Sequence, residues 1–104
     1  MNLFLDDIRN PPAAGWTLVR TAEDAIKILR TGIVTWISFD HDLGTELTGY
    51  DVAKEIEGLV YSEKIKCPRW LIHSRNPVGA KNIQHAMESA WSMSGKVRKI
   101  NVGQ

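Results

Sequence analysis

The sequence predicts a single α/β domain built on a parallel, doubly wound sheet. Short apolar segments alternate with amphipathic segments of helical spacing along the chain, and this alternation is typical of right-handed βαβ units. The length of 104 residues is close to the commonest domain size, so we expect one domain over residues 1–104. With 43% hydrophobic and 24% charged residues, the composition is that of an ordinary folded protein.

Five short segments have the bulky or β-branched side chains that are typical of buried strands. They are residues 3–5, 16–20, 36–39, 70–72 and 97–102. We expect the strand order 2-1-3-4-5, the flavodoxin-like order that is common in five-stranded doubly wound sheets. Strands 1, 3 and 4 would then form the centre of the sheet, with their carboxyl ends adjacent.

Three segments carry helix signals. Thr21 and Asp24 form a capping-box pattern before apolar residues at helical spacing that end at Gly32. Residues 51–60 place their apolar side chains on one stripe, and Asn76 and Pro77 can cap and open a third helix. Helices between strands predict three layers, with both faces of the sheet covered. About ten residues separate strands 1 and 2, which is the lower limit for a crossover that contains a helix, so we expect a reduced first helix. We also expect no helix between the last predicted strand and Gln104.

Composition excludes several classes of protein. A net charge of +1 gives no broad positive surface for extended duplex DNA. The single cysteine, Cys67, permits no intrachain disulfide and no Cys-rich zinc site within one chain. The apolar run at the N-terminus is too short for a signal peptide or a membrane span. We therefore expect a cytoplasmic protein without membrane contact.

Polar clusters follow strands 1, 3 and 4. They are Asp6, Asp7 and Arg9 after strand 1; Asp40, His41 and Asp42 after strand 3; and His73, Ser74, Arg75 and Asn76 after strand 4. Ligands of open parallel sheets bind at the carboxyl ends of the strands, near the point where the strand order reverses. The three clusters therefore predict one site.

The acidic residues of these clusters predict a divalent cation. Four carboxylates at a partly buried rim repel one another by several kcal/mol unless a proton or a cation lies among them. Carboxylate oxygens favour Mg²⁺ or Mn²⁺, and the neighbouring histidines also allow Zn²⁺. The predicted ligands are Asp6, Asp7, Asp40 and Asp42.

The basic and amide groups at this rim suit a phosphate. Arg9 and Arg75 offer paired charged hydrogen bonds to phosphate oxygens. Asn76 and Gly79, at the start of the third helix, would present backbone amides to the same group. An anionic ligand bridged by a metal is the combined expectation.

Each of these residues also has a simpler interpretation. The Asp6–Asp7 pair could cap the turn after strand 1, and His41 could be an orienting or structural imidazole. His73 ends an apolar strand and could be a core histidine, while Asn76 could only start a helix. The four tryptophans fill the core in one interpretation, and one of them stacks a base in the other.

Several motifs together resemble a known family. The segments LFLDDIRNPP, TAEDAI, SFDHDLG, TGYDVA and HSRNPVGAKNI are similar to the cyclic-phosphate processing receiver domain family, a divergent branch of response-regulator receivers. The resemblance covers nearly the whole chain. It implies that Asp6 and Asp7 are the metal-binding acidic pair of receivers, that Asp40 is at the phosphoacceptor position, and that Ser74 is the hydroxyl residue after strand 4.

The remaining site residues match the cyclic-phosphate branch. They are His41, Asp42, His73 and Asn76, and the resemblance implies that they converted a signalling site into a phosphoesterase site. In this hypothesis Asp40, His41, His73 and Ser74 are catalytic. The last predicted strand, VRKINV, lacks the Lys-Pro pair of ordinary receivers, which disfavours phosphorelay.

The leading hypothesis is therefore a metal-dependent phosphodiesterase, a hydrolase that opens a cyclic phosphate. Its substrate would be a 2′,3′-cyclic phosphate at an RNA end, as in RNA repair, or a cyclic nucleotide. The alternatives are a phosphoacceptor switch on Asp40 and a module that binds a cyclic nucleotide without cleaving it. Where helices are missing, exposed apolar surface could seat a second copy of the chain as a homodimer.

Overall fold

The computed structural model describes the backbone of residues 1–102 and the side chains of residues 1–94. Four short strands form one parallel sheet in the order β2-β1-β3-β4. They are β1 (Asn2–Leu5), β2 (Trp16–Val19), β3 (Trp36–Phe39) and β4 (Arg69–Ile72). The predicted α/β class and the order of these four strands are confirmed.

Three helices accompany the sheet: α1 (Ala22–Leu29), α2 (Gly49–Tyr61) and α3 (Pro77–Val102). α1 begins at the predicted cap, because the Thr21 side chain accepts a hydrogen bond from the Asp24 backbone N–H. α2 begins two residues before the predicted segment, where the Asp51 side chain accepts the Thr48 backbone N–H at 2.7 Å. No helix among the described residues has the length and apolarity that a membrane crossing requires.

The predicted fifth strand over residues 97–102 is not shown, because the backbone of α3 continues through this segment to Val102. The six residues follow an established helix directly, without a proline or a turn between them. Extending an existing helix adds a hydrogen bond for each residue without a new nucleation cost. This continuity outweighs the β-branched pattern that suggested a strand.

The helices pack on one face of the sheet. A single apolar core joins strand and helix residues, and its fully buried members include Leu3, Leu5, Ile37, Phe39, Ala25, Val52, Ile56, Ile83 and Met87. Burying each large apolar side chain contributes about 1.5–3 kcal/mol. The residues between β1 and β2, all described, form no helix, as predicted. The prediction of three layers is wrong for the described residues, since the crossover that would cover the second face is too short to hold a helix.

The second face, which we call the open face, consists of the alternate residues of the four strands. Strand register places Asn2, Trp16, Trp36 and Arg69 in a first row and Phe4, Leu18, Ser38 and Leu71 in a second. None of these eight side chains belongs to the apolar cluster that packs under the helices, although Phe4 and Ser38 are themselves buried. Period-two alternation along each strand explains the separation, because successive side chains point to opposite faces.

Candidate functional site

Three carboxylates converge where β1 and β3 end. Oxygens of Asp6, Asp7 and Asp40 all lie within 4.8 Å of one another, and we call these residues the acidic cluster. Sheet-like hydrogen bonds continue past the strand ends and hold the backbone there, with Asp40 N donating to Leu5 O at 2.9 Å and Asp6 N donating to Val19 O at 3.1 Å. The structure thus brings together three of the four predicted metal ligands.

Asp6 is the most enclosed member of the cluster, with 1% of its surface exposed. Its Oδ1 accepts backbone N–H groups from Ile8 at 2.9 Å and Arg9 at 2.7 Å, and its Oδ2 lies 3.0 Å from His73 Nε2. Burial by itself raises the pKa of Asp6, but these hydrogen bonds outweigh it and the net pKa is lowered. Asp6 is therefore a fixed, ionised carboxylate.

The pKa of Asp40 is shifted in the opposite direction to that of Asp6, because it is raised. Burial raises the pKa of Asp40, and the negative charges of Asp6 and, more weakly, Asp7 raise it further. The backbone N–H of His41, 2.8 Å from Asp40 Oδ1, opposes this shift without cancelling it. The acidic cluster without a cation therefore carries net repulsion, which positive charge would relieve.

His73 is fixed at both nitrogens and on one face of its ring. Nε2 bonds to Asp6, Nδ1 lies 2.7 Å from Ser38 Oγ, and the ring stacks on Phe4 with centroids 4.4 Å apart and planes 4° apart. The small Ser38 side chain on the intervening strand lets the Phe4 and His73 rings meet across β3. His73 is thus oriented by the fold and orients Asp6 in turn.

His41 belongs to a second network beside the cluster. Its Nδ1 lies 2.9 Å from Asp42 Oδ1, and the Asn76 side-chain amide donates to Asp42 Oδ2 at 3.4 Å. A Cβ on Gly79 would overlap the His41 ring, so only glycine lets α3 approach this closely. Among the described residues no hydrogen bond engages His41 Nε2, which leaves this nitrogen for a ligand.

Asp42 therefore lies apart from the acidic cluster, contrary to its predicted place among the metal ligands. Its side chain is 67% exposed and contacts His41 rather than the other carboxylates. The hydrogen bond from His41 is the main cause of its lowered pKa. The Asp42–His41 pair has the geometry of an imidazole oriented by a carboxylate.

The start of α3 is organised by side chains rather than left open. Asn76 Oδ1 accepts the backbone N–H of Gly79 at 3.0 Å, and Ser74 Oγ accepts the backbone N–H of Asn76 at 3.1 Å. The amide of Gly79, predicted to bind phosphate, is thus already donated to Asn76. The Ser74 hydroxyl accepts in this contact, so its proton remains to donate to a ligand.

Three arginines lie around the strand ends, and two of them, Arg9 and Arg75, are the predicted phosphate-binding residues. Arg9 is exposed at the rim, and its Nη1 donates to His73 O at 3.4 Å, while Arg75 is exposed beside Ser74. Arg20, which sequence reasoning missed, donates to the backbone oxygens of Asp6 at 3.3 Å and Arg9 at 2.8 Å. Arg20 therefore fixes the loop that carries the acidic pair.

Other supporting residues were also missed, although the sequence contains signals for some of them. Arg20 ends a strand at the same sheet edge as the acids, and Ser38 is a lone hydroxyl in the apolar segment WISF. Gly49 starts α2, and a Cβ there would overlap the carbonyl oxygen of Asp40. Phe4 carries no such signal, because its stack on His73 depends on register across three strands.

Comparison with known proteins assigns this arrangement to a family. The family model of the cyclic-phosphate processing receiver domain matches residues 1–89, a range that includes every residue of both networks. No curated protein and no solved structure matches the chain. The match spans most of the 104 residues, and the chain belongs to the cyclic-phosphate processing receiver domain family.

Proposed function

We propose that this domain is a divalent-metal-dependent phosphoesterase that opens a cyclic phosphate. The observation that carries the proposal is the convergence of Asp6, Asp7 and Asp40 within 4.8 Å. The His73 imidazole bonds to Asp6, and Asp42 orients the imidazole of His41, the residue after Asp40. The family's description as cyclic-phosphate processing supports the same chemistry.

The donor set of the acidic cluster fits a hard divalent cation. Three carboxylates provide anionic oxygens, the ligands that Mg²⁺ and Mn²⁺ prefer. Burial and the acidic neighbours raise the pKa of Asp40, so a bound cation would stabilise its ionised form. Asp6, Asp7 and Asp40 would hold the ion, and a bound ion would offset charge on the phosphoryl oxygens and acidify a water.

His41 is the better placed of the two imidazoles for proton transfer. Asp42 holds its Nδ1, and Nε2 carries no hydrogen bond among the described residues. A base oriented by a carboxylate can take a proton from the attacking water and return one to the leaving ribose oxygen, a contribution of about 10² to 10⁴ in rate. In this reaction the P–O bond to water forms and one ring P–O bond breaks.

His73 acts through Asp6 instead. Both of its nitrogens are engaged, with Asp6 and Ser38, so a proton cycle would require breaking these contacts. We assign it as a positioning residue that fixes the Asp6 carboxylate. Outer contacts of this kind tune metal ligands and typically affect affinity or activity by about 10- to 100-fold.

The remaining predicted residues would bind the phosphate. Arg9 and Arg75 lie exposed at the rim, where guanidinium groups can pair with phosphoryl oxygens. The Ser74 hydroxyl can donate to one of these oxygens, because its oxygen accepts the Asn76 amide. Asn76 itself would hold the Asp42–His41 pair rather than the phosphate.

The test is turnover of cyclic phosphates by the purified protein. We expect ring-opened monophosphate from a 2′,3′-cyclic or a 3′,5′-cyclic nucleotide with Mn²⁺ or Mg²⁺, and no product with a chelator. His41→Ala should lower kcat by at least about 10²-fold, while His85→Ala, which removes an exposed imidazole from α3, should leave it unchanged.

Two results would replace the proposal by its rivals. Saturable binding of a cyclic nucleotide without product would indicate a binding module. Covalent labelling by acetyl phosphate that is lost in Asp40→Asn, again without turnover of any cyclic phosphate, would indicate a phosphoacceptor switch.

A further inference from the structure

The open face is a two-row surface of aromatic, aliphatic and polar side chains on the side of the sheet opposite the apolar core, and Trp91 of α3 approaches it at the Arg69 end. The rows lie across four parallel strands, in the strand register given above. Neighbouring strands are about 4.8 Å apart, so the four strands make a surface about 14 Å wide. Leu71 is 51% exposed and Trp16 and Trp36 are half-buried, whereas Phe4 and Ser38 in the middle of the second row are buried.

One end of the first row combines indole rings with cations. The Arg69 guanidinium carbon lies 5.9 Å from the ring centroids of both Trp36 and Trp91. These residues and Trp70 line a recess of about 190 Å³, and Lys66 lines an adjoining recess of about 330 Å³. Aromatic rings flanked by cations are the arrangement on which single-stranded nucleic acids stack their bases.

The one charged residue of the open face is a cation, at the end of the face away from the acidic cluster. The eight residues of the face include Arg69 and no carboxylate. Asn2 and Ser38 interrupt its apolar side chains, so the face is not the continuous aliphatic surface that is typical of a permanent protein interface. A ligand with flat aromatic groups and a negative backbone therefore matches this surface better than an apolar helix does.

The open face is continuous with the acidic cluster. Phe4 in the second row stacks on His73, and His73 bonds to Asp6. Four residues of strand separate the first row from Asp6, which is about 13 Å at the rise of a parallel strand. This distance corresponds to about four stacked nucleotides at a rise of about 3.4 Å for each.

We propose that the open face binds the single strand of an RNA whose cyclic-phosphate end occupies the acidic cluster. This inference rests on the proposed function and names its substrate class. The bases stack on Trp36 and Trp16, Arg69 and Lys66 attract the phosphates, and about four nucleotides reach from the cluster to the first row.

The test compares a nucleoside 2′,3′-cyclic phosphate with oligoribonucleotides of two to eight residues that end in the same group. For the wild type, kcat/KM should rise with length and level off near four nucleotides. Trp36→Ala and Arg69→Gln should lower the ratio of oligonucleotide to mononucleotide kcat/KM by about tenfold each, the scale of one lost stacking contact. Tyr61→Ala, which removes a 75% exposed ring from α2, should leave the ratio unchanged.

A binding arm separates this inference from the proposed function. Fluorescence anisotropy with a labelled oligonucleotide that ends in a 3′-phosphate measures the open face without any turnover, and affinity should fall in Trp36→Ala. Turnover of the mononucleotide with no effect of length overturns the inference and leaves the proposed function standing. If Trp36→Ala and Arg69→Gln convert a dimer to a monomer and leave oligonucleotide affinity unchanged, the face binds a second copy and the inference is wrong.

Discussion

Replacing Asp40 by asparagine removes one of three negative charges from the acidic cluster while keeping the shape of the side chain. The oxygens concerned lie within 4.8 Å of one another. At that distance two unit charges repel by about 0.9 kcal/mol in bulk water and about 3.5 kcal/mol at an effective dielectric constant of about 20. Asp40 is partly exposed, so solvent screens the repulsion and the lower half of this range applies.

We therefore expect Asp40→Asn to stabilise the cation-free protein by about 1–2 kcal/mol. A domain of this size gains about 4–8 °C in Tm for each kcal/mol, so thermal unfolding in a chelator should rise by at least about 4 °C. Glu46→Gln is the matched control, because it removes a negative charge from an exposed loop residue. Its effect should stay within about 0.5 kcal/mol.

Saturating Mn²⁺ should reverse this order. A ligand at 100 times its Kd stabilises the folded state by about 2.7 kcal/mol, and Asp40→Asn lacks one of the three carboxylates that would hold the ion. The wild type should therefore gain more than the variant does. A variant that is less stable than the wild type in chelator, or one that gains as much from Mn²⁺ as the wild type does, would refute the electrostatic account of the cluster.

The pH dependence of the same pair of proteins follows from the raised pKa of Asp40. An acid whose pKa is raised by folding costs stability when it is ionised, and this cost is fully present above the folded pKa. It disappears as the pH falls through the folded pKa towards the ordinary value of 3.8. The advantage of Asp40→Asn in chelator should thus shrink on acidification, and a difference that stays constant or grows would contradict this sign.

Two further predictions concern the surroundings of the site, and a third concerns the buried thiol of Cys67. Gly79→Ala should displace the His41 ring and lower turnover by at least about tenfold, while the circular dichroism spectrum stays that of the folded protein. Gly58→Ala is the control, because a Cβ there meets nothing within 4 Å; it should retain activity and gain about 0.5–1 kcal/mol in helix stability. Ser38→Ala removes the partner of a ring nitrogen and should cost about 1–3 kcal/mol in urea unfolding; an unchanged midpoint would argue against the contact. Burial raises the pKa of Cys67 to about 11, so its thiol should react with a disulfide reagent at pH 8 only after denaturation, and rapid reaction of the native protein would contradict its burial.

The sequence was sufficient to predict the order of four strands and the meeting of three acidic residues, because the strands and the acids that follow them have local signals. Short apolar strands followed by acids mark the carboxyl edge, and parallel topology brings those edges together. Asp6 and Asp40 were placed correctly on this basis. Helix α1 was likewise predicted from the Thr21 cap and its apolar spacing.

The errors have identifiable physical causes. Residues 97–102 have strand-like side chains, but they extend an existing helix, and helix propagation depends on the preceding turns rather than on composition alone. Asp42 follows Asp40 by two residues, and a sequence pattern cannot tell which of two such acids turns towards Asp6 and which turns towards His41. The pairing of Phe4 with His73 depends on three-dimensional register and has no sequence signature.

The most direct test of the account is a phosphorus NMR time course of a nucleoside 2′,3′-cyclic phosphate with the purified protein and Mn²⁺ added at substoichiometric concentration to limit line broadening. The account predicts that the cyclic-phosphate resonance is replaced by a monoester resonance, that chelator stops this conversion, and that Asp40→Asn abolishes it. A cyclic-phosphate resonance that persists with the wild type and the cation, for this substrate and for a tetranucleotide ending in the same group, would contradict it.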